Sequence, residues 1–195
     1  MEIESEDKVD EKLDCLIMRL RDAKRPVIYA GNGIRIAGAQ QQLIELAEAY
    51  KIPVVTCWNS IDLIETESNY YAGRAGIMGD RAGNFAVQNS DFLICIGNRL
   101  NVYQIGYQYD SWAREAYKVM VDIDPLELKK PTISIDLPIC YDARVFMTKM
   151  LNRRQEKTIK FVGWIEWVNQ CQQWKQKYPV VNNEQYHQKL SLIHI

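Results

Sequence analysis

The chain has almost no histidine: the two present, His187 and His194, fall in the last nine of 195 residues. Upstream of them no imidazole is available as base, metal ligand or triad member. That excludes Ser-His-Asp, Cys-His and His-based zinc chemistry from the body of the chain. The five cysteines, Cys15, Cys57, Cys95, Cys140 and Cys171, are odd in number, widely spaced and form no CxxC pair. Zinc ribbons and dithiol redox motifs therefore have no local support. Cys95 lies in the apolar run Phe92-Leu93-Ile94-Cys95-Ile96 and reads as a small buried hydrophobe. All five thiols read as structural or incidental, in keeping with a reducing, cytoplasmic compartment. Charge of one sign is also missing. Lys+Arg 24 against Asp+Glu 25 leaves a net charge of −1, which argues against nucleic-acid and anionic-membrane partners. No apolar run approaches the roughly 20 residues that span a bilayer. The acidic start, residues 1–12, has no signal-peptide core.

What is present is globular: 47% hydrophobic and 25% charged residues, enough for one full core. Residues 9–23 carry apolar positions at helical spacing, and Arg25-Pro26 breaks them. Pro26-Val27-Ile28-Tyr29-Ala30 and Pro53-Val54-Val55-Thr56-Cys57 read as buried strands, with a helix over 38–50 between them. Residues 58–83 read as one long irregular stretch, of a length that is usually functional. A short helix over 84–88 and strands over 92–96, 117–123 and 132–136 follow, with helices over 125–129 and 142–151. Strand, helix, strand with apolar strands predicts an α/β fold, a doubly wound parallel sheet flanked by helices. Residues 1–151 form this unit. Beyond the polar run 152–157, a helix over 161–178 reads as a linker. The remainder to 195 reads as the truncated start of a following domain.

In such a sheet ligands lie beyond the carboxyl ends of the strands. Three loops there attract attention. Gly31-Asn32-Gly33 follows the first strand, where glycine lets backbone approach a ligand. The full GxGxxG is absent, since Ile36 stands at its third glycine, and the second strand ends in Cys57, Trp58 and Asn59 without an acid. A nicotinamide site is thereby disfavoured. Gly97-Asn98-Arg99 places an Arg where a phosphate or carboxylate would suit it. Asp122-Ile123-Asp124 offers two carboxylates; Asp124 reads as the cap of the helix opening at Pro125, and Asp122 as the ligand candidate.

These pieces, in order, resemble the central domain of thiamine diphosphate-dependent enzymes, nearest the acetolactate synthase branch. The resemblance rests on residues 25–33, Ile52-Pro53-Val54-Val55, Gly76-Ile77-Met78-Gly79, Ser90-Asp91, Gly97-Asn98-Arg99, Asp122-Ile123-Asp124-Pro125 and Asp142-Ala143, and runs from about 13 to 151. It implies a domain of the NAD/FAD-binding type within a longer chain acting on a 2-keto acid. Pyrimidine- and diphosphate-binding domains elsewhere in that parent would hold thiamine diphosphate and Mg, in a dimer or tetramer. This part would be non-catalytic, with no metal site. By the resemblance Gly31, Asn32 and Gly33 face a diphosphate-ribose region, with Gly97 and Arg99 on the phosphate. Asp122 and Asp142 reach ribose and adenine, and Cys57, Trp58 and Met78 stand on the flavin side. FAD or ADP is the ligand implied. Two departures weaken the flavin half: Met78 replaces a His, and Asn101-Val102-Tyr103 replaces an Asp-Asp-Arg run. The family's metal motif is not reproduced, because Arg81 follows Gly79-Asp80 and Asn182-Asn183 lies far off. A stand-alone adenine-nucleotide or interaction module is the alternative. A sirtuin-like deacylase would need a histidine that residues 1–186 lack.

Overall fold

A computed structural model describes residues 4–156 and 164–181. Six strands form one sheet: β1 Pro26–Ala30, β2 Val54–Thr56, β3 Tyr71–Arg74, β4 Phe92–Ile96, β5 Tyr117–Asp122 and β6 Leu137–Cys140. Their order is β3-β2-β1-β4-β5-β6, and every neighbouring pair is parallel. The chain winds outward from β1 to β3, returns to the far side of β1 as β4, and winds outward again. This is the doubly wound α/β architecture that the apolar strands and intervening helices predict.

Side chains alternate across the strands, and both faces are apolar. Ile28, Ala30, Ile94, Ile96, Val119 and Val121 face one core. That core is closed by α1 Glu6–Asp22, α3 Gln40–Tyr50 and α6 Ala143–Glu156, through residues such as Leu13, Leu43 and Phe146. Val27, Tyr29, Leu93, Cys95 and Met120 face a second core. It is covered by α4 Arg81–Gln88 and α7 Ile165–Lys177.

Four expectations shift. The last strand lies at 137–140, not 132–136. Its ladder opens only once Asp136 donates its N–H to Lys118 O at 3.0 Å and accepts the Lys118 N–H at 2.7 Å. The predicted helix over 38–50 begins later, because Gly38 (φ 61°) separates the short α2 Asn32–Ile36 from α3. The irregular stretch 58–83 contains strand β3, which carries Gly73 (φ 113°) and so shows no apolar run. The predicted helix at 125–129 is a single tight turn, Glu127–Lys129. A four-residue helix, α5 Val102–Ile105, was not expected. Asn182, Asn183, His187 and His194 lie outside the described residues.

Helix α6 continues past Leu151, and α7 folds back onto the sheet. Trp167 is buried and donates its Nε1–H to Pro26 O at 3.0 Å. Gln172 and Lys175 donate to Tyr71 O at 3.0 and 3.2 Å, occupying a carbonyl on edge strand β3. Capped edges of this kind prevent pairing with a second sheet. Trp167→Ala should therefore destabilise the whole domain by about 3–5 kcal/mol, read as a lower urea midpoint. An unchanged midpoint would mean that α7 is only loosely attached.

Candidate functional site

Strands β1 and β4 lie side by side but send their helices in opposite directions, so a crevice opens beyond their carboxyl ends. The two loops that bound it meet backbone to backbone. Gly31 N–H donates to Ile96 O at 2.9 Å, and Gly33 N–H donates to Gly97 O at 2.9 Å. A Cβ on Gly31 would stand 2.2 Å from Gly97 O, and one on Gly33 2.6 Å from Gly97 Cα. Gly97 itself sits at φ 57°, where other residues are strained. The three glycines are thus required by the packing of one loop on the other.

Outside this contact lies a cavity of about 420 Å³ running across the ends of β1, β4, β5 and β6. It brings together Asn32, Gly33, Gly97, Arg99, Asp122 and Asp142, six of the ten residues singled out from the sequence. Gly31 lies one residue behind, in the loop contact. Cys57 is fully buried in the second core, where burial pushes its thiol up to about 12 and Gln104 Nε2 donates to its Sγ at 2.7 Å. Trp58 and Met78 are exposed and do not line the cavity.

Each charged group in the cavity has a defined setting. Arg99 is largely exposed, its Nε 3.6 Å from Glu127 Oε1 and its Nη2 4.0 Å from Asp124 Oδ2. Lys130 Nζ donates to Arg99 O at 2.8 Å, tying the β4 and β5 loops together. Asp122 is buried and accepts the Asp124 N–H at 2.9 Å. Burial pushes its carboxyl above the usual range; that backbone hydrogen bond opposes the rise and Glu127 adds to it. Asp142 caps α6 by accepting the Val145 N–H at 3.0 Å. Asp124 accepts the Leu126 N–H at 2.9 Å, the turn-capping role expected of it.

Asn59, Gln104 and Tyr141, and Asn98 within the loop Gly97-Asn98-Arg99, were given no site role from the sequence and also line the cavity. Asn98 and Gln104 are buried polar residues, and burial is invisible in a single sequence. The two departures on the flavin side prove to be neighbours: Ile77 N–H donates to Tyr103 O at 2.7 Å. Asp80, of the incomplete metal motif, is an N-cap. Its Oδ1 accepts from Gly83 N at 2.7 Å and its Oδ2 from Arg74 N at 2.9 Å. Among the described residues no group of three or more His, Cys, Asp or Glu is placed to hold a metal ion. No described helix is long and apolar enough to cross a membrane.

Comparison with known proteins gives the chain a family. Residues 13–150 match the family model described as "Thiamine pyrophosphate enzyme, central domain". The chain is similar to the acetolactate synthase large subunit of Lactococcus lactis subsp. lactis, 31% identical over 184 residues, which cover 94% of this chain and 31% of that protein. It is similar to the acetolactate synthase large subunit of Cyanidium caldarium, 32% identical over 163 residues, 83% of this chain and 28% of that one. A probable acetolactate synthase large subunit of Methanocaldococcus jannaschii is 36% identical over 132 residues, 68% of this chain and 22% of that one. The chain thus spans less than a third of the length of these relatives.

Two variants test the site's construction. Gly31→Ala forces a Cβ into a backbone carbonyl that cannot move alone, and should cost about 3 kcal/mol in urea unfolding. Asp122→Asn should do the opposite. The folded carboxyl holds its proton more tightly than the unfolded one. Between those two pKa values the folded state therefore binds more protons, and stability falls as pH rises. Above that window the penalty is complete, so Asp122→Asn should raise the urea midpoint at pH 7 and flatten its acid-side pH dependence. A lowered midpoint at pH 7 would show that the charged form is compensated.

Proposed function

The chain belongs to the thiamine pyrophosphate enzyme central-domain family, and from that membership we propose that it serves as the nucleotide-holding central domain of an acetolactate synthase-type enzyme acting on a 2-keto acid. The observation that carries the nucleotide part is the single cavity joining Asn32, Gly33, Gly97, Arg99, Asp122 and Asp142 at the crossover between β1 and β4. Arg99 would meet phosphate, as a guanidinium does in charge-assisted pairs. Asp122 and Asp142, each with one oxygen engaged by its own turn, would accept from hydroxyls or an amine.

The donor set fits the ADP half of a ligand better than a whole FAD. The cavity ends short of Trp58 and Met78, and Asn101 is engaged as the cap of α5. Thiamine diphosphate and its divalent metal would be held by pyrimidine- and diphosphate-binding domains of a longer parent, in a dimer or tetramer, in the cytoplasm. Thiamine diphosphate would supply the carbanion chemistry there. The part played by these residues is to bind and orient a nucleotide, and to present a docking face to those domains.

Titration calorimetry with ADP and with FAD tests this reading, beside a turnover assay with pyruvate, thiamine diphosphate and Mg. The expected results are micromolar ADP binding, no tighter binding of FAD, and no turnover. Nanomolar FAD binding would restore the flavin half. Turnover by this chain would overturn its non-catalytic role.

A further inference from the structure

The cavity lining has one cation and two carboxylates, and their order across the sheet is fixed by the strand order. Arg99 follows β4, Asp122 ends β5 and Asp142 follows β6. Strands stand about 4.8 Å apart, so the chain positions that carry the positive and negative groups are one to two strand spacings apart, with Arg99 near enough to Asp122 to oppose the rise in its pKa. Resting on the nucleotide reading above, we propose that this polarity makes the site selective for nucleoside diphosphates whose ribose hydroxyls are free, and that Asp122 and Asp142 exclude nucleotides carrying an additional phosphate on the ribose.

Charge and the supply of hydrogen-bond donors set this selectivity. A carboxylate accepts hydrogen bonds and donates none, so the β5–β6 end of the cavity requires a ligand that donates. Free ribose hydroxyls do; a ribose phosphate cannot, and it adds charge of the same sign. Asp122 is buried, so solvent screens that repulsion poorly. The cations beside the cavity are already engaged. Arg99 is shared with Asp124 and Glu127, Lys130 is paired with Glu127 and donates to Arg99 O, and Arg35 is paired with Asp62 and donates to Asn32 Oδ1 and Asn59 O. Asp124 and Glu127 stand behind the cavity's single cation and limit the phosphate charge it can accept. The requirement is therefore for negative charge at one end only, over Arg99.

The test measures ADP against the same nucleotide phosphorylated on the ribose 2′ or 3′ hydroxyl, by calorimetry on the full chain. Wild type should bind ADP at least tenfold more tightly. Asp122→Asn keeps an acceptor for the Asp124 N–H and adds a donor, so it should narrow the gap to threefold or less, chiefly by gaining affinity for the ribose-phosphorylated ligands. Asp142→Asn, which can still cap α6, should move in the same direction. Arg99→Ala should weaken all three ligands alike. If ADP binds and the phosphorylated forms bind equally well, the selectivity is wrong while the nucleotide reading stands. A gap that persists unchanged in both Asp variants would also overturn it, because discrimination would then arise elsewhere. If none of the three binds, the nucleotide reading fails and this inference falls with it.

Discussion

The backbone contact between the loops after β1 and β4 is the constraint on which the rest of the site depends. Two loops that leave adjacent parallel strands and diverge to opposite faces normally stand apart. Here Gly31 and Gly33 lie against Gly97, close enough that any Cβ would overlap backbone. The Gly31 and Gly33 N–H groups, of the kind a glycine-rich loop can offer to a phosphate, are instead donated to the Ile96 and Gly97 carbonyls. The charged groups that face the cavity are side chains farther along the sheet: Arg99, Asp122 and Asp142.

That arrangement explains the electrostatic character of the cavity. A site built on free backbone N–H groups tolerates high phosphate charge, because partial positive charge converges from several amides. With these amides engaged, compensation rests on a guanidinium whose own field is divided between Asp124 and Glu127. Keeping Asp122 charged in a buried position costs stability, and a group perturbed in this way inside a cleft is a functional-site candidate. Its raised pKa and its place in the cavity point in the same direction.

Much of the fold was legible because buried parallel strands are written as apolar runs: 26–30 and 92–96 are where the sequence places them, and the strand expected over 117–123 is observed over 117–122. Strand β3 was not legible, since an edge strand with Gly73 and Arg74 has neither an apolar run nor strict alternation. The shift of the last strand to 137–140 had a different origin. Thr132-Ile133-Ser134-Ile135-Asp136 alternates well, but pairing is decided by register with β5, and Val119 lies opposite Leu137. At the site, residues near the strand ends could be found from their positions in the chain. Asn98 and Gln104 could not, because their relevance depends on burial. Cys57 was assigned to the flavin side from its place at the end of β2, and β-strand parity turns its side chain into the second core instead.

Both edges of the sheet are closed, and this limits where function can lie. At the β3 edge Gln172 and Lys175 of α7 occupy a free carbonyl. At the β6 edge Glu4 N–H donates to Cys140 O at 3.0 Å and Lys12 Nζ to Pro138 O at 2.5 Å. Helices cover both faces. The carboxyl-end rim is left, and it carries exposed Trp58, Ile77, Met78, Tyr103 and Tyr107 beside the cavity. The loops carrying Ile77, Met78 and Tyr103 are held by Ile77 N–H to Tyr103 O and by the Asn84 side chain bonded to Gly76. Apolar side chains on loops held in this way lose less conformational freedom in a contact than those on free loops. Polar and apolar groups are thus divided along one end of the sheet, the cavity over β1 and β4 to β6 and the apolar rim over β2, β3 and α5.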